Sequence, residues 1–271
     1  MDKKLLLNLY DAQLRSETEV SDSREVVRIG PLWVARYPHR HGFITYESIP
    51  PETNLSKLID LAMDHFLADE RIDSVEWKTR EHDGLENLHN LLSARGFKEC
   101  DPETVMVGYA QAIIAAASPL PEGFVVEPVS SPADIQLAQS LIQDAFEAPV
   151  EEAQRLTDQL VARYNDDPAS FELWVVREPG GKVVCTGRTE FLPSTEVAGL
   201  WGGACEKAYR GRGLYRALTA ARASSALRRG YRYLHADCTE DSRPILERAG
   251  LVKVTTTTPF VWQRHKNQPD Y

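Results

Sequence analysis

The sequence predicts an α/β fold of the α+β kind: a mixed, mostly antiparallel sheet flanked by helices, in two copies of which the first is degenerate. Three observations lead there. The second half alternates strand-like and helix-like stretches as β-α-α-β-β-β-α-β-α-β, a tight Gly-rich turn joins two of its strands, and the close of that order recurs in the first half. A length of 271 residues accommodates two domains at roughly 150 residues apiece.

The clearest break is Ser118-Pro119-Leu120-Pro121-Glu122-Gly123, which follows an Ala-rich run and precedes a short strand pattern at 124–127. It sets the expected domains at 1–118 and 119–271. Past it, Ser131-Pro132 opens a helix over 132–146 with apolar residues at Ile135, Ala138, Leu141, Ile142 and Ala145. A more polar helix follows over 151–164. Strand runs at 171–177 and 182–191 are joined by Glu178-Pro179-Gly180-Gly181, a hairpin turn between antiparallel neighbours. A strand at 197–205 leads through Tyr209-Arg210-Gly211-Arg212-Gly213 into a helix over 214–229, which Gly230 stops. A strand at 231–237, a short helix at 243–249 ended by Gly250, and a strand at 252–262 close the order.

The first half carries a shortened version: a helix over 55–67, a strand at 74–78, a helix over 85–94 stopped by Gly96, and a strand at 104–109. Aligning Gly96 on Gly250 lays 91–97 over 245–251, as an internal duplication would. The first copy differs before its long helix. There it has Ile49-Pro50-Pro51-Glu52-Thr53, without glycine and with an acidic residue, so it cannot cradle a phosphate.

Charge narrows the function. With 31 Lys and Arg against 40 Asp and Glu the net charge is -9, which excludes general binding to nucleic acid or to anionic membranes. Residues 1–118 carry -7 of it. The opening Leu5-Leu6-Leu7 is interrupted too soon for a signal peptide, and no apolar run spans a bilayer. Cys100, Cys185, Cys205 and Cys238 are scattered without metal-ligand spacing, which reads as a reduced, cytoplasmic chain without metal. Against this acidic background, 207–236 holds eight basic residues and no Asp or Glu. They surround a glycine loop between strand and helix, where backbone N–H groups and the positive helix end converge on an anion. The distal Arg222, Arg228 and Arg229 read as a solvated helix face.

Residues 124–262 resemble the GNAT acyltransferase superfamily, whose Arg/Gln-x-x-Gly-x-Gly/Ala signature is met by Arg210-Gly211-Arg212-Gly213-Leu214-Tyr215 except at the last position. The resemblance implies acetyl-CoA, or another short acyl-CoA, as cofactor. Its pyrophosphate would lie on the backbone of Arg210, Gly211, Arg212, Gly213, Leu214 and Tyr215, and its pantetheine beside the strand ending at Ala204, Cys205 and Glu206. That strand would splay from the one at 231–237, with N–H groups near Ala204 and Cys205 as oxyanion donors. Tyr215 puts a phenol where the family has Gly or Ala. The family's frequent general acid, a Tyr four residues before the closing Gly, is Leu246 here.

Acyl transfer to an amine needs a base, since a free alkylamine has a pKa of about 10.4. Glu206, Glu190 and Asp237 are the candidates, with Asp237 alternatively capping the helix near Ser242. Tyr215, Ser242 and Cys238 are candidate proton donors to the thiolate. Cys205 and Cys238 read as inert thiols and His235 as a structural histidine. Trp201-Gly202-Gly203 implies close approach of pantetheine or substrate to the backbone. Trp77 with 36–41 could line a substrate cleft, although a surface loop accounts for the cluster more simply.

Two readings follow. The first is a cytoplasmic N-acetyltransferase acting on a small-molecule amine or a basic side chain by direct attack in a ternary complex. The second is an inactive acyl-CoA-binding or regulatory protein. A homodimer is compatible with either.

Overall fold

The computed structural model describes residues 2–15, 17–38, 40–85 and 87–264. The chain begins with α1 (Lys3–Leu14), capped by Asp2, whose carboxylate accepts from Lys4 N–H at 2.9 Å. Strands β1 (Glu25–Ile29), β2 (Leu32–Tyr37) and β3 (His41–Tyr46) form an antiparallel meander. Then come α2 (Leu55–Leu67), β4 (Ser74–Arg80), α3 (Leu88–Ser93), β5 (Lys98–Glu99), β6 (Glu103–Tyr109) and α4 (Ala110–Ala115). The remainder is β7 (Val125–Pro128), α5 (Pro132–Phe146), α6 (Val150–Asp166), β8 (Phe171–Arg177), β9 (Val183–Phe191), β10 (Val197–Cys205), α7 (Leu214–Arg228), β11 (Tyr233–Cys238), α8 (Arg243–Arg248) and β12 (Val252–Gln263). Among the described residues no helix is long and apolar enough to cross a membrane.

The chain divides into two compact units, but not at the Pro-rich break. The central unit is Met106–Lys253, and the outer unit joins Asp2–Val105 to the segment from Val254 onward. The boundary expected at 118/119 is therefore displaced. Ser118 to Gly123 connect α4 to β7 within the central unit, because β6 hydrogen-bonds β11 and Met106, Ala110 and Ile113 share a core with Ala223 and Ala226 of α7. At the other end, β12 pairs antiparallel with β4, Phe260 standing opposite Trp77, so the last strand completes the outer unit.

Each unit repeats one outline. In the outer unit the strand order is β1-β2-β3-β4-β12, with β5 also on β12; α2 carries the chain from β3 to the parallel β4. The central order is β6-β11-β10-β9-β8-β7, with α7 carrying the chain from β10 to the parallel β11. The hairpin at 178–181 forms as its residues predict, Gly181 N–H donating to Glu178 O at 2.8 Å.

The outer core gathers Ile59, Ala62, Met63 and Phe66 of α2 onto Trp77, Ile44 and Phe260. These apolar positions recur at helical spacing, and burying each large side chain stabilises by about 1.5–3 kcal/mol. Trp77 is fully buried here and lines no surface. Of the 36–41 cluster, Arg36 and Tyr37 end β2, His41 begins β3 and His39 lies outside the described residues. In the central unit, alanines at 217, 220, 223 and 226 keep α7 thin enough to be buried on more than one face.

Candidate active site

The parallel ladder of β10 with β11 is short: Val197, Ala198 and Gly199 face Tyr233, Leu234 and His235, and the register goes no further. Yet β10 continues to Cys205 and β11 to Cys238, so the strands part beyond Gly199 and His235. On its other edge β10 stays paired to β9, with a bulge that sets Gly202 and Gly203 against Gly187 between the pairs Trp201/Arg188 and Ala204/Thr186. Gly202 takes φ +56° there, a conformation that favours glycine. Glu206 N–H donates to Val184 O at 2.9 Å. By antiparallel alternation, Cys205 then turns its own N–H and C=O away from β9, toward the parted side.

The chain next passes the loop. Gly211 and Gly213 both have positive φ, +78° and +81°, and Gly213 is the residue before α7. No side chain caps this helix, so its first N–H groups remain available to an anion. A Cβ on Gly211 would meet nothing within 4 Å, which leaves the loop open to a ligand. At Gly213 a Cβ would fall 2.8 Å from that of Ser118, so this glycine makes room for the chain itself. Arg210 is anchored by Nε donating to Cys205 O at 3.0 Å, and the Arg212 guanidinium lies 5.1 Å from the Tyr209 ring centroid.

Tyr215 turns away from the loop. Its hydroxyl packs under Gly203, where a Cβ would come within 2.0 Å of it, and its ring joins the buried clusters on the α7 side. The phenol thus does not obstruct the loop, and the close approach foreseen at Gly203 is made by Tyr215 itself. Burial raises the phenol's pKa. Arg222 is not on a solvated face: it is fully buried beneath Gly187, with Nε and Nη2 lacking partners, and burial lowers its pKa. Arg228 remains exposed, bonded to Ser224, while Arg229 pairs with Glu172 at 2.8 Å.

The candidate bases separate clearly. Glu206 is held by Lys182 Nζ at 2.7 Å. Glu190 is clamped by Arg163 and Arg188, each at 2.5 Å. Asp237 caps no helix; its Oδ1 lies 2.9 Å from His235 Nε2, and both side chains are buried. Those two project from β11 where the strands part, with Trp201 edge-on to His235 at 6.0 Å between ring centroids. The indole folds over Gly199, whose Cβ would sit 2.5 Å from Trp201 Nε1, and Gly199 lies in register with Glu190 on one side and His235 on the other. The i, i+2 spacing of His235 and Asp237 already sets both on one face of a strand, and from sequence alone the histidine reads as structural. Ser242 precedes α8 and its N–H and hydroxyl are engaged by Thr239. Leu246 is buried in the α7-side core, and Cys238 is in the same core.

The outer unit has the same parting strands without the cradle. The β3–β4 ladder ends at Ile44 and Trp77. Beyond it Arg80 Nε donates to Tyr10 Oη at 3.2 Å and Nη2 to Glu19 at 2.5 Å, while Arg15 donates to Tyr46 O at 3.2 Å. Its crossover helix α2 is capped, Asn54 Oδ1 accepting from Lys57 N–H at 3.0 Å.

Residues 136–250, all within the central unit, match the Acetyltransferase (GNAT) family. The chain carries a GNAT domain. Its structure is similar to a GCN5-related N-acetyltransferase from Kribbella flavida, at 17% identity and TM-score 0.73 over 95% of each chain. It is also similar to a functionally unknown conserved protein from Staphylococcus epidermidis ATCC 12228, at 14% identity and TM-score 0.69 over 92% of this chain and 98% of that one. A tandem GNAT protein from the clavulanic acid biosynthesis pathway matches at 11% identity and TM-score 0.60, over 88% of this chain and 79% of its own. At such identities the likeness is one of fold. No curated protein matches the chain. Within the GNAT domain β10, its bulge and the loop occupy consecutive stretches of sequence from Val197 to Leu214, and β11 follows α7 at Tyr233. Among the described residues no cluster of His, Cys, Asp and Glu is arranged to hold a metal ion.

Proposed function

We propose that the GNAT domain transfers an acetyl group from acetyl-CoA to a primary amine, by direct attack in a ternary complex. The observation that carries this reading is the parting of β10 from β11 at His235, next to an uncapped helix start with open space at Gly211. The donor set suits a pyrophosphate: positive-φ backbone, free helix N–H groups, and Arg210 and Arg212 on exposed positions. Backbone from Arg210 to Tyr215 would hold it, and Ala204, Cys205 and Glu206 would border the thioester arm. When bound, the cofactor supplies an activated acyl group.

The chain's own part is proton transfer and placement. Asp237 Oδ1, 2.9 Å from His235 Nε2, would orient the imidazole beside the parted strands, where it would act as the base toward the amine. The Cys205 N–H, turned toward the parted side, is placed to donate to developing negative charge. Glu206, paired with Lys182, and Glu190, clamped by Arg163 and Arg188, are already neutralised by cations, which leaves the base role to His235; the acceptor would be a small amine or a basic side chain.

Leu246 favours a second reading, a domain that binds acyl-CoA without turnover, because a buried leucine stands where the resemblance expects a hydroxyl. Measuring acyl-CoA binding by calorimetry and thiol release across a panel of amines separates the two. Binding with thiol release on some amine supports transfer; binding with none supports the second reading; no binding overturns both.

A further inference from the structure

We propose that Cys185 and Cys205 form an oxidisable dithiol that closes into a cross-strand disulfide. The two residues are directly opposite on β9 and β10. Because Glu206 N–H bonds Val184 O, the neighbouring Cys205/Cys185 position is a non-hydrogen-bonded pair, in which Cα atoms lie about 4.5 Å apart. Disulfides span Cα separations of roughly 4.4–6.8 Å, so the bond needs no movement of the strands. Both side chains belong to one cluster, on the side of the sheet covered by Leu214 and Leu218.

The pair is asymmetric. Cys185 is fully buried and Cys205 half-buried, so an incoming reagent meets Cys205 first. The hydrogen bond from Cys185 holds the Cys205 thiol below its usual pKa, with help from Arg210 and against burial. The same hydrogen bond, together with burial, keeps Cys185 protonated. Cys205 is thus the attacking thiolate and Cys185 the resolving thiol. With a low-molecular-weight disulfide as oxidant, Cys205 Sγ bonds to one of its sulfurs and expels the other as a thiolate. Cys185 then loses its proton, attacks Cys205 Sγ and expels the second thiolate. Two protein thiols are oxidised and one small disulfide is reduced to two thiols. The bond would sit one residue from Glu206, at the carbonyl that anchors Arg210, and it forms whether or not the domain transfers acyl groups.

The test uses the full chain with exposed Cys100 replaced (Cys100→Ser), equilibrated with oxidised glutathione, alkylated, digested without reduction and read by mass spectrometry. The expected result is a peptide pair joined through Cys185 and Cys205, released by reductant, with the loss of two alkylatable thiols. With Cys185→Ser added, glutathione accumulates on Cys205. The proposal is overturned if both thiols remain alkylatable, if Cys205 keeps glutathione while Cys185 is present, or if Cys205 joins Cys238 instead. The first and last readouts need no further variant to fold.

Discussion

His235 Nε2 lies 2.9 Å from Asp237 Oδ1, with the two side chains 8% and 5% exposed. His235 stands at the last rung of the β10–β11 ladder, and Asp237 lies two residues beyond it. Replacing His235 by Gln removes the proton acceptor while keeping a similar volume. If it is the base, the rate of thiol release falls by about 10²-fold or more and acyl-CoA affinity stays unchanged in calorimetry. An unaltered rate would assign proton transfer elsewhere, Glu206 and Glu190 being next to examine.

Gly211 offers a cleaner test of the loop than Gly213, where any side chain meets Ser118. Asp tolerates positive φ better than most residues, so Gly211→Asp introduces charge at moderate conformational cost. Acyl-CoA affinity is expected to fall by about 10-fold or more, with the thermal midpoint nearly preserved. Normal affinity would remove the loop from the binding site.

Asp134, in the first turn of α5, accepts from Ser131 Oγ at 2.8 Å and from Arg177 Nη2 at 2.6 Å. The Ser131 hydrogen bond, joined by Arg177 and opposed by burial, holds its pKa below the usual 3.8. A depressed carboxylate binds fewer protons in the folded chain than in the unfolded one. Its contribution is therefore complete above about pH 4 and disappears as pH falls through the lower folded value. Asp134→Asn should lower stability at neutral pH and flatten the acid limb of a denaturation series taken between about pH 5 and pH 2. Parallel pH curves for the two proteins would contradict this.

In the outer unit, the Arg80 side chain is completely buried and pairs with Glu19. Removing one member of such a pair leaves a buried charge poorly compensated, at about 3–5 kcal/mol. Glu19→Gln should therefore shift urea unfolding substantially at pH 7. A change under about 1 kcal/mol would mean that other neighbours of Arg80, among them Tyr10 Oη, Lys78 O and the Tyr46 ring, suffice.

Local pattern carried much of this structure into view. Helices at Leu55–Leu67 and Pro132–Phe146 and strands at Phe171–Arg177 and Val197–Cys205 end where their periodicity, caps and breakers say they should. Those signals are short-range. The meander β1–β3 escapes that kind of reading because its opening strand, β1, has no buried residue to mark an inner face. Pairing of β12 with β4 links positions such as Phe260 and Trp77 across most of the chain, and no local pattern encodes it. At the site, the glycine loop was legible because positive φ demands glycine, whereas the inward turn of Tyr215 and the burial of Arg222 depend on what the sheet places beneath α7. Arg222 in particular reads as surface on any helix of this composition; Gly187 on a distant strand is what makes room for it.

The assignment of β12 to the outer unit orders events during synthesis. A ribosome adding about 5–20 residues per second delivers Val105 many seconds before Val254. Throughout that interval β4 lacks the partner that covers Val75 and Trp77, and its edge is open to wrong pairings. The central unit, continuous from Met106 to Lys253, has all its strands beforehand. The unit whose synthesis begins first is thus the last to be completed.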